Sequence, residues 1–403
     1  MKKRITIVSG VPTPYREPLF EGLADSTEYE ISVLYCLDHQ PDQPWRMGPP
    51  RYSARYLKNL SPAAWHGRFL VGDINPGVWQ ALREFAPDAV VLYGYNSVTM
   101  LLAALWAIIH RIPILMRSDS NLLAERQKAP LRLALKRLLL KKLEPYIAAY
   151  LSVGTMNARY WRFYGVPKHK IIPACYAVDN DGFAAAAKAW RSSRAEIILR
   201  LGRQRRYQLL YVGRLVDLKR VDVLIDAFRQ LSTRRSDLQL TIVGDGPERR
   251  SLAWRAVGTP GIHFAGFQDQ AQLPKFYGAA DLFMLLSENE PWGLVVNEAM
   301  ASGLPVIATR RVGSARDLVV DGLNGFIVPE NDPGALAAAI DRACQNESRL
   351  ALLGESARRT IQAWNYSTTL AGFRQALLAS TGVRVEPGLP GKRAESRTPS
   401  RAY

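Results

Sequence analysis

Short apolar runs, each followed by a turn and then by a helical pattern, recur along most of the chain. Such runs are typical of strands buried on both faces of a parallel sheet, with the helices as crossovers. Because 403 residues are too many for one ordinary core, the sequence predicts two doubly wound α/β domains. The predicted strands include residues 5–8, 31–34, 88–93, 112–116, 150–153, 209–212, 240–243, 262–265, 281–286, 305–308 and 326–329.

The charge of the chain narrows the class of partner. A formal net charge of +17 suits nucleic acid, an anionic membrane surface or an anionic substrate. No zinc-finger spacing, RNP-like aromatic motif or helix-turn-helix pattern accompanies this charge, so nucleic acid is not expected as a partner. The three cysteines, Cys36, Cys175 and Cys344, form no CxxC pair and are expected to be buried, reduced thiols.

The sequence also carries an expectation about location. No signal peptide opens it, and its most apolar window, residues 97–109, is too short to span a bilayer. A cytoplasmic protein is therefore expected, with peripheral association with the cytoplasmic face of a membrane left open.

Two carboxylates flank the turn that follows the apolar run at 281–286. Glu290 precedes a predicted helix over 294–300, and Glu298 lies about two turns inside that helix, with seven residues between the two. Backbone N–H groups at the start of a helix are unpaired and can bind an anion or a sugar hydroxyl. Taken alone, the two glutamates are better explained as residues that cap or solvate a helix.

A second distinctive turn follows the predicted strand at 209–212. Gly213 opens it, and Arg214 and Lys219 lie five positions apart, just before a predicted helix over 221–231. Two cations beside a helix N-terminus could clamp a diphosphate. Two exposed basic residues on a loop are the alternative explanation.

The spacing of Glu290 and Glu298 resembles the E-x7-E signature of the retaining glycosyltransferases of family 4, the glycosyl transferases group 1. The pattern Gly213-Arg214…Lys219 is similar to that family as well. The resemblance implies a GT-B fold, in which two Rossmann-like doubly wound parallel-sheet domains face a central cleft. It also implies an enzyme that moves a sugar from a nucleotide diphosphate donor to an acceptor with retention of configuration, without a metal ion or other cofactor.

The resemblance assigns roles to individual residues. Glu290 would face the transferred sugar, Glu298 would bind the ribose hydroxyls, and Arg214 and Lys219 would stabilise the diphosphate, with Asp119 as a further catalytic candidate. The remaining implied donor-binding residues are Gly213, Gly244, Phe267, Trp292, Gly293 and Leu294.

The first half of the chain departs from the family pattern. Many family members carry a histidine near the end of the strand predicted at 112–116, where this chain has Arg117 and Asp119. Asp119 is expected either to replace that histidine or to cap a following helix. The usual Gly-Gly loop after the first strand is replaced by residues 12–16, whose Arg16 faces either an anionic ligand or solvent.

The segment 129–148 is predicted to be a basic amphipathic helix. One explanation is that it lies on an anionic membrane; the other is that it buries its leucines in the core and solvates its lysines. The leucines predicted on one face are Leu131, Leu135, Leu138 and Leu139, and the cations are Arg132, Lys136, Arg137, Lys141 and Lys142.

The predicted organisation has four parts. Residues 1–185 form an acceptor-side domain, 186–365 a nucleotide-sugar-binding domain, 366–382 a helix that crosses back to the first domain, and 383–403 a disordered tail. The irregular segment 38–75, including Gln43-Pro-Trp-Arg46, is expected to face the acceptor, which is a glycan or a lipid-linked molecule.

A triplet, Asp179-Asn180-Asp181, matches a D-x-D metal motif of another fold, but no metal site is expected there. Two other functions stay open at this point: a sugar-nucleotide epimerase of the same fold, and a non-catalytic, membrane-associated scaffold.

Overall fold

A computed structural model describes residues 2–38, 48–62, 72–125, 129–192 and 206–381. The motif at 43–46 and the predicted tail at 383–403 lie outside these residues. Within them the strands form two separate sheets, one of seven strands and one of six, and every pairing is parallel. The predicted pair of doubly wound sheets is confirmed.

The first sheet has the strand order β3-β2-β1-β4-β5-β6-β7. Its strands are β1 (Lys3–Ser9), β2 (Tyr29–Tyr35), β3 (Ser53–Tyr56), β4 (Ala89–Tyr93), β5 (Ile114–Ser118), β6 (Ile147–Ser152) and β7 (Ile171–Pro173). The helices of this half are α1 (Glu17–Ala24), α2 (Val78–Phe85), α3 (Val98–Ile109), α4 (Pro130–Leu143), α5 (Thr155–Phe163) and α6 (Asn180–Ser192).

The second sheet repeats the same winding, in the order β10-β9-β8-β11-β12-β13. Its strands are β8 (Tyr207–Val212), β9 (Leu238–Val243), β10 (Ile262–Gly266), β11 (Leu282–Leu285), β12 (Val306–Thr309) and β13 (Gly325–Val328). The helices are α7 (Val221–Ser232), α8 (Arg249–Ala256), α9 (Leu273–Ala279), α10 (Leu294–Ala301), α11 (Gly313–Leu318), α12 (Pro333–Ala343), α13 (Glu347–Ile361) and α14 (Tyr366–Thr381).

The strand order reverses once in each sheet, and these reversals are where an open parallel sheet binds ligands. In the first sheet the reversal lies between β1 and β4, and in the second between β8 and β11. The loops that leave these four strands carry most of the candidate residues identified above.

The last described helix returns to the first domain. Phe373, Ala376 and Leu377 of α14 are buried in the same apolar cluster as Ile7 of β1 and Leu115 of β5. The second half of the chain thus contributes core residues to the first sheet, which ties the two halves together.

Two strands and one helix end differ from the expectations. The edge strand β3 lies inside the segment expected to be irregular, and β7 was not among the predicted strands. Both are short, and three of the four β3 residues are exposed. Helix α4 ends at Leu143 rather than near residue 148, because Pro145 follows and β6 begins at Ile147.

The leucines and one lysine of helix α4 lie on the opposite sides from those expected of a helix packed on the core. Lys136 is buried and pairs with Glu125 at 2.6 Å, whereas Leu131, Leu135 and Leu138 are exposed by 72%, 53% and 53%. The explanation in which this helix buries its leucines and solvates all its lysines is therefore wrong for these residues. Among the described helices, none is both long and apolar enough to cross a bilayer.

The three cysteines and the D-x-D triplet are described by the structure. Cys36, Cys175 and Cys344 are buried and unpaired, as expected. Asp179, the first residue of the D-x-D triplet, accepts a 2.9 Å hydrogen bond from the amide of Gly182 at the start of α6. In the described residues no group of three or more His, Cys, Asp or Glu side chains is arranged to hold a metal ion.

Candidate active site

The half of the site in the second domain is built on an ion pair between Lys219 and Glu290. A 3-10 turn over Asp217–Lys219, after β8, presents the lysine. The loop after β11 presents the glutamate, whose amide donates to the carbonyl of Arg311 at 3.2 Å. The side chains are 23% and 13% exposed, so the pair is largely shielded from water. The fold thus joins two predicted site residues that are 71 positions apart.

Two glycines allow the loops after β8 and β9 to touch. Gly244 has φ +132°, and a Cβ there would lie 1.9 Å from the carbonyl oxygen of Gly213. The amide of Gly213 donates to the carbonyl of Val243 at 3.0 Å. Only a residue without a side chain fits such an approach. Arg214 is exposed beside Gly213, and its carbonyl accepts a 3.2 Å hydrogen bond from the hydroxyl of Tyr211.

Glu298 is fully buried and holds two tyrosines. Tyr15 of the first domain donates to Oε1 at 2.8 Å, and Tyr277 donates to Oε2 at 2.6 Å. Burial raises the pKa of this carboxyl to about 7, although both tyrosine hydrogen bonds act to lower it. Each carboxylate oxygen of Glu298, the residue predicted to bind the ribose, therefore already accepts a hydrogen bond from the protein.

The turn from Glu290 into α10 uses side chains for packing and leaves its backbone at the site. Gly293 precedes the first helical residue, Leu294, with φ +86°, and a Cβ there would lie 3.0 Å from Cγ of Glu290. Trp292 is 3% exposed, and its Nε1 donates to Asn297 at 2.9 Å. Its ring stacks on Trp364 with centroids 5.1 Å apart. The side chain of Trp292 therefore packs the turn in place and is not exposed to a ligand.

Phe267 lies at the end of β10, just after Gly266, and is 49% exposed. An exposed aromatic ring at this edge of the sheet offers a surface on which a nucleobase could stack. The structure thus locates this predicted donor-binding residue at the same sheet edge as Gly213 and Gly244.

The half of the site in the first domain is a cavity of about 330 Å³ at the carboxyl ends of β4 and β5. It is polar and contains both Asp119 and Arg16. Its lining is Arg16, Tyr93, Gly94, Tyr95, Asn96, Arg117, Ser118, Asp119, Ser120, Arg132, Lys136 and Tyr176. Asp119 accepts a 3.5 Å hydrogen bond from the hydroxyl of Tyr176. The capping role considered for Asp119 is wrong, since the oxygen that accepts from the amide of Ala124 belongs to Asn121.

Contacts between the domains bring the two halves of the site together. Asn121 donates to Asn289 at 3.4 Å, and these two residues lie beside Asp119 and Glu290 in sequence. Further from the cleft, the amide of Thr155 donates to Asp317 at 2.8 Å. The segment that carries Asp119 therefore faces the segment that carries Glu290.

Several site residues were missed by sequence reasoning. Tyr15, Tyr277 and Tyr176 each donate to a predicted site residue, and Asn121 and Asn289 join the two domains beside the site. Of these five, Tyr15 was the easiest to predict from the sequence, because it lies in the loop after β1, at the point where the strand order reverses. The other four carry no local motif.

Comparisons with known proteins agree with this architecture. Residues 194–360, less than half of the chain, match the family model described as Glycosyl transferases group 1. The chain is 34% identical over 223 residues to D-inositol 3-phosphate glycosyltransferase 2 of Catenulispora acidiphila, covering 52% of this chain and 51% of that protein. It is 32% identical over 187 residues to the alpha-D-kanosaminyltransferase of Streptomyces kanamyceticus, covering 45% and 48%. The chain thus spans about half the length of the curated relatives it matches.

Solved structures show the same fold at low sequence identity. HepE from Anabaena, in complex with UDP and glucose, has a TM-score of 0.71 at 20% identity, covering 94% of this chain and 99% of HepE. WaaG, described as a glycosyltransferase involved in lipopolysaccharide biosynthesis, has a TM-score of 0.65 at 17% identity, covering 93% and 99%. The chain therefore has the GT-B fold that the resemblance implied, and the match to the glycosyl transferases group 1 model lies in its second half.

Proposed function

We propose that this protein transfers a sugar from a nucleotide diphosphate donor to an acceptor with retention of anomeric configuration. The observation that carries the proposal is the Lys219–Glu290 pair at the reversal of the second sheet. The Asn121–Asn289 contact sets this pair opposite the segment of Asp119. Such an arrangement combines a cation for a leaving phosphate with carboxylates for a sugar. The curated relatives reported above are named as transferases of sugars, which supports the transfer but does not bear on its stereochemistry.

The chemistry of the leaving group explains the cations. As the glycosidic bond breaks, negative charge builds up on the departing nucleoside diphosphate. Lys219 and Arg214 would stabilise that charge. In this mechanism Lys219 exchanges its bond to Glu290 for one to the diphosphate. Glu290 is then available to orient the sugar and to stabilise its cationic character.

Glu298 would bind the ribose hydroxyls, which requires an exchange of hydrogen bonds. Its oxygens are held by Tyr15 and Tyr277, and Tyr15 comes from the opposite domain. Ribose binding would replace one or both tyrosine donors. The donor would then sit against the turn of Trp292, Gly293 and Leu294, with its base near Phe267.

Helix α4 supports an acceptor presented at a membrane surface. Leu131, Leu135 and Leu138 form an exposed apolar stripe, because residues at i, i+4 and i+7 share one helical face. Lys141 and Lys142 are exposed in its last turn. A helix with exposed leucines and flanking cations can lie on an anionic bilayer. Polysaccharide or cell-envelope glycan synthesis from a lipid-linked acceptor would fit such a surface.

The test is incubation of the full chain with UDP-, GDP- and dTDP-sugars, with and without a lipid extract, in the presence and absence of a chelator. We expect one donor to be consumed with transfer to an acceptor, without inhibition by the chelator, and with the product anomer matching the donor by NMR. An inverted product would overturn retention, and inhibition by the chelator would overturn metal independence.

The same assay separates the competing functions. An epimerase would convert the donor without an acceptor, and a scaffold would leave every donor unchanged. The epimerase alternative has no support from the comparisons, since the curated relatives reported above are named as transferases.

A further inference from the structure

Arg220, the residue after Lys219, has a backbone conformation that an arginine rarely adopts. Its φ and ψ are +52° and +42°, which lie in the left-handed region. A Cβ is disfavoured there because it approaches the following carbonyl oxygen, so glycine is the usual residue. The conformation ends the 3-10 turn over Asp217–Lys219 and starts α7 at Val221. An arginine at a position that favours glycine indicates that its side chain has a use.

The guanidinium of Arg220 joins the loop after β8 to the loop after β11. Nη2 lies 2.8 Å from Asp222 at the start of α7, and Nη1 lies 3.5 Å from Glu288 in the loop after β11. A third carboxylate, that of Asp217 at 3.8 Å, is 80% exposed and contributes little. The side chains of Arg220, Asp222 and Glu288 are all partly shielded from water. The two shorter contacts therefore hold the turn before α7 against the loop after β11.

Glu288 is fixed from two further sides. Its amide donates to the carbonyl of Leu218 at 2.9 Å, and its Oε1 accepts from Nδ2 of Asn331 at 2.9 Å. Leu218 lies inside the 3-10 turn, and Asn331 lies in the loop after β13. Glu288 thus connects three loops at the carboxyl edge of the second sheet.

The Arg220–Glu288 pair joins the same two loops as the Lys219–Glu290 pair. Arg220 follows Lys219 directly, and Glu288 lies two positions before Glu290. A lysine is a single charge on a flexible stem, so its location depends on the backbone that carries it. A cation stabilises a transition state only where it is held in advance at the developing charge. The spacing of these two loops therefore determines what Lys219 can contribute.

We propose that Arg220 is a positioning residue for sugar transfer and holds Lys219 where it can exchange Glu290 for the diphosphate of the departing nucleotide. The inference rests on the proposed function, because it adds a residue to that reaction. Arg220 touches neither donor nor acceptor in this role, since its guanidinium is bound by Asp222 and Glu288. Without the guanidinium, the turn and the loop are free to separate, and Lys219 is held less firmly opposite the leaving group.

Two substitutions separate the guanidinium from the backbone. Arg220→Gly and Arg220→Ala lose the same ion pairs, but only glycine suits the left-handed conformation. Arg220→Lys keeps the charge without the planar fork of donors. Glu288→Gln breaks the same pair from the other loop, which keeps the test valid if an Arg220 variant does not fold. Arg250→Ala, at an exposed arginine of α8, is the matched control.

The first measurement is steady-state kinetics of the full chain with its preferred donor, beside thermal melting. We expect Arg220→Gly, Arg220→Ala and Glu288→Gln each to lower kcat at least about tenfold, with KM for the donor changed less than about threefold. Arg220→Gly should melt at a higher temperature than Arg220→Ala and yet be equally slow. Arg220→Lys should recover part of kcat, and Arg250→Ala should match the unmodified protein.

A purely structural role for Arg220 predicts a different pattern. The loss of kcat would then follow the melting temperature, and Arg220→Gly would be faster than Arg220→Ala. That result would overturn the inference. So would a kcat within about threefold of the unmodified value in both variants.

Competitive acetylation of amines gives a second measurement that needs no turnover. Mass spectrometry compares the labelling rate of Lys219 with that of Lys188, an exposed lysine of α6, in the absence of nucleotide. We expect Lys219 to react at least about threefold faster in Arg220→Gly and Arg220→Ala, because its ion pair with Glu290 loosens.

The two measurements separate failure of the inference from failure of the proposed function. Labelling of Lys219 that is unchanged in both Arg220 variants would overturn the inference, whatever the turnover. An unmodified chain that transfers sugar from no donor, with Lys219 labelling that responds as expected, would overturn the proposed function and leave the positioning of Lys219 by Arg220 supported.

Discussion

The hydroxyl of Tyr15 in the first domain donates a 2.8 Å hydrogen bond to Oε1 of Glu298 in the second, although the two residues are 283 positions apart. The other carboxylate oxygen accepts from Tyr277 at 2.6 Å. The carboxylate proposed to bind ribose is therefore occupied by protein donors. Because Glu298 is fully buried, we expect a ribose hydroxyl to reach Oε1 only when Tyr15 leaves it.

Removing the Tyr15 hydroxyl should favour nucleotide binding. We expect Tyr15→Phe to tighten nucleoside diphosphate binding by about tenfold, because a hydrogen bond to a charged group contributes about 1.5–3 kcal/mol. Titration calorimetry measures this, with Tyr146→Phe, at an exposed tyrosine, as the control. Unchanged or weaker affinity would show that Tyr15 does not compete with the ribose.

Glu298 should make stability depend on pH. Its pKa rises from 4.5 to about 7 on folding because it is buried. Between these values the folded protein keeps a proton that the unfolded chain loses, so stability falls as pH rises and levels off above about 7. The contribution is about 3 kcal/mol. Burial keeps the pKa values of Tyr15 and Tyr277 well above this window.

Urea unfolding between pH 4 and 8 gives the measurement for this prediction. The Glu298→Gln variant has no ionisable group at this position. Its unfolding free energy should therefore fall less steeply than that of the unmodified protein as pH rises from about 4.5 to about 7. An identical slope in the variant and in the unmodified protein would contradict the assignment.

The two cations of the second domain, Arg214 and Lys219, should stabilise the transition state of sugar transfer. Arg214→Ala and Lys219→Ala should each reduce kcat/KM with the preferred donor by an amount equivalent to about 2–4 kcal/mol. Lys219→Ala also leaves Glu290 without its ion-pair partner, so its melting temperature should be compared. Lys188→Ala, on an exposed position of α6, serves as control. A change of less than about threefold in both variants would remove the clamp from the mechanism.

Two lysines of α4 should differ sharply in their effect on folding. Lys136 is paired with Glu125 at 5% side-chain exposure, so Lys136→Gln removes the cation of a buried ion pair. The expected loss is about 3–5 kcal/mol of unfolding free energy. Lys141→Gln, on the exposed part of the same helix, should change it by less than about 0.5 kcal/mol. Denaturant unfolding of the two variants side by side gives the comparison, and equal effects would refute the buried pair.

The exposed surface of α4 should bind anionic membranes. We expect the protein to co-sediment with anionic but not zwitterionic liposomes, and to be released as salt rises, because such binding is partly electrostatic. Replacing Arg137, Lys141 and Lys142 by Gln should abolish co-sedimentation. These three are exposed, so the change spares the Lys136–Glu125 pair. Equal recovery in the supernatant with both lipids would exclude this surface as a membrane contact.

The sequence by itself determined the sheets and the position of the carboxylate turn. The strand predicted at 281–286 is β11 (Leu282–Leu285), and the helix predicted at 294–300 is α10 (Leu294–Ala301). Both depend on local apolar patterning and turn chemistry, which neighbouring residues determine. The edge strands β3 and β7 were missed because a short strand at a sheet edge has a weak apolar signal.

Only the tertiary structure decided which side chains meet. The Lys219–Glu290, Tyr15–Glu298 and Asn121–Asn289 pairs each join segments far apart in the chain. On α4, helical periodicity grouped Leu131, Leu135 and Leu138 on one face, but the packing of neighbouring elements decided that this face points outward and that Lys136 points inward. Local patterns determine where strands and helices form, whereas the burial and partners of a charge depend on residues brought close only by folding.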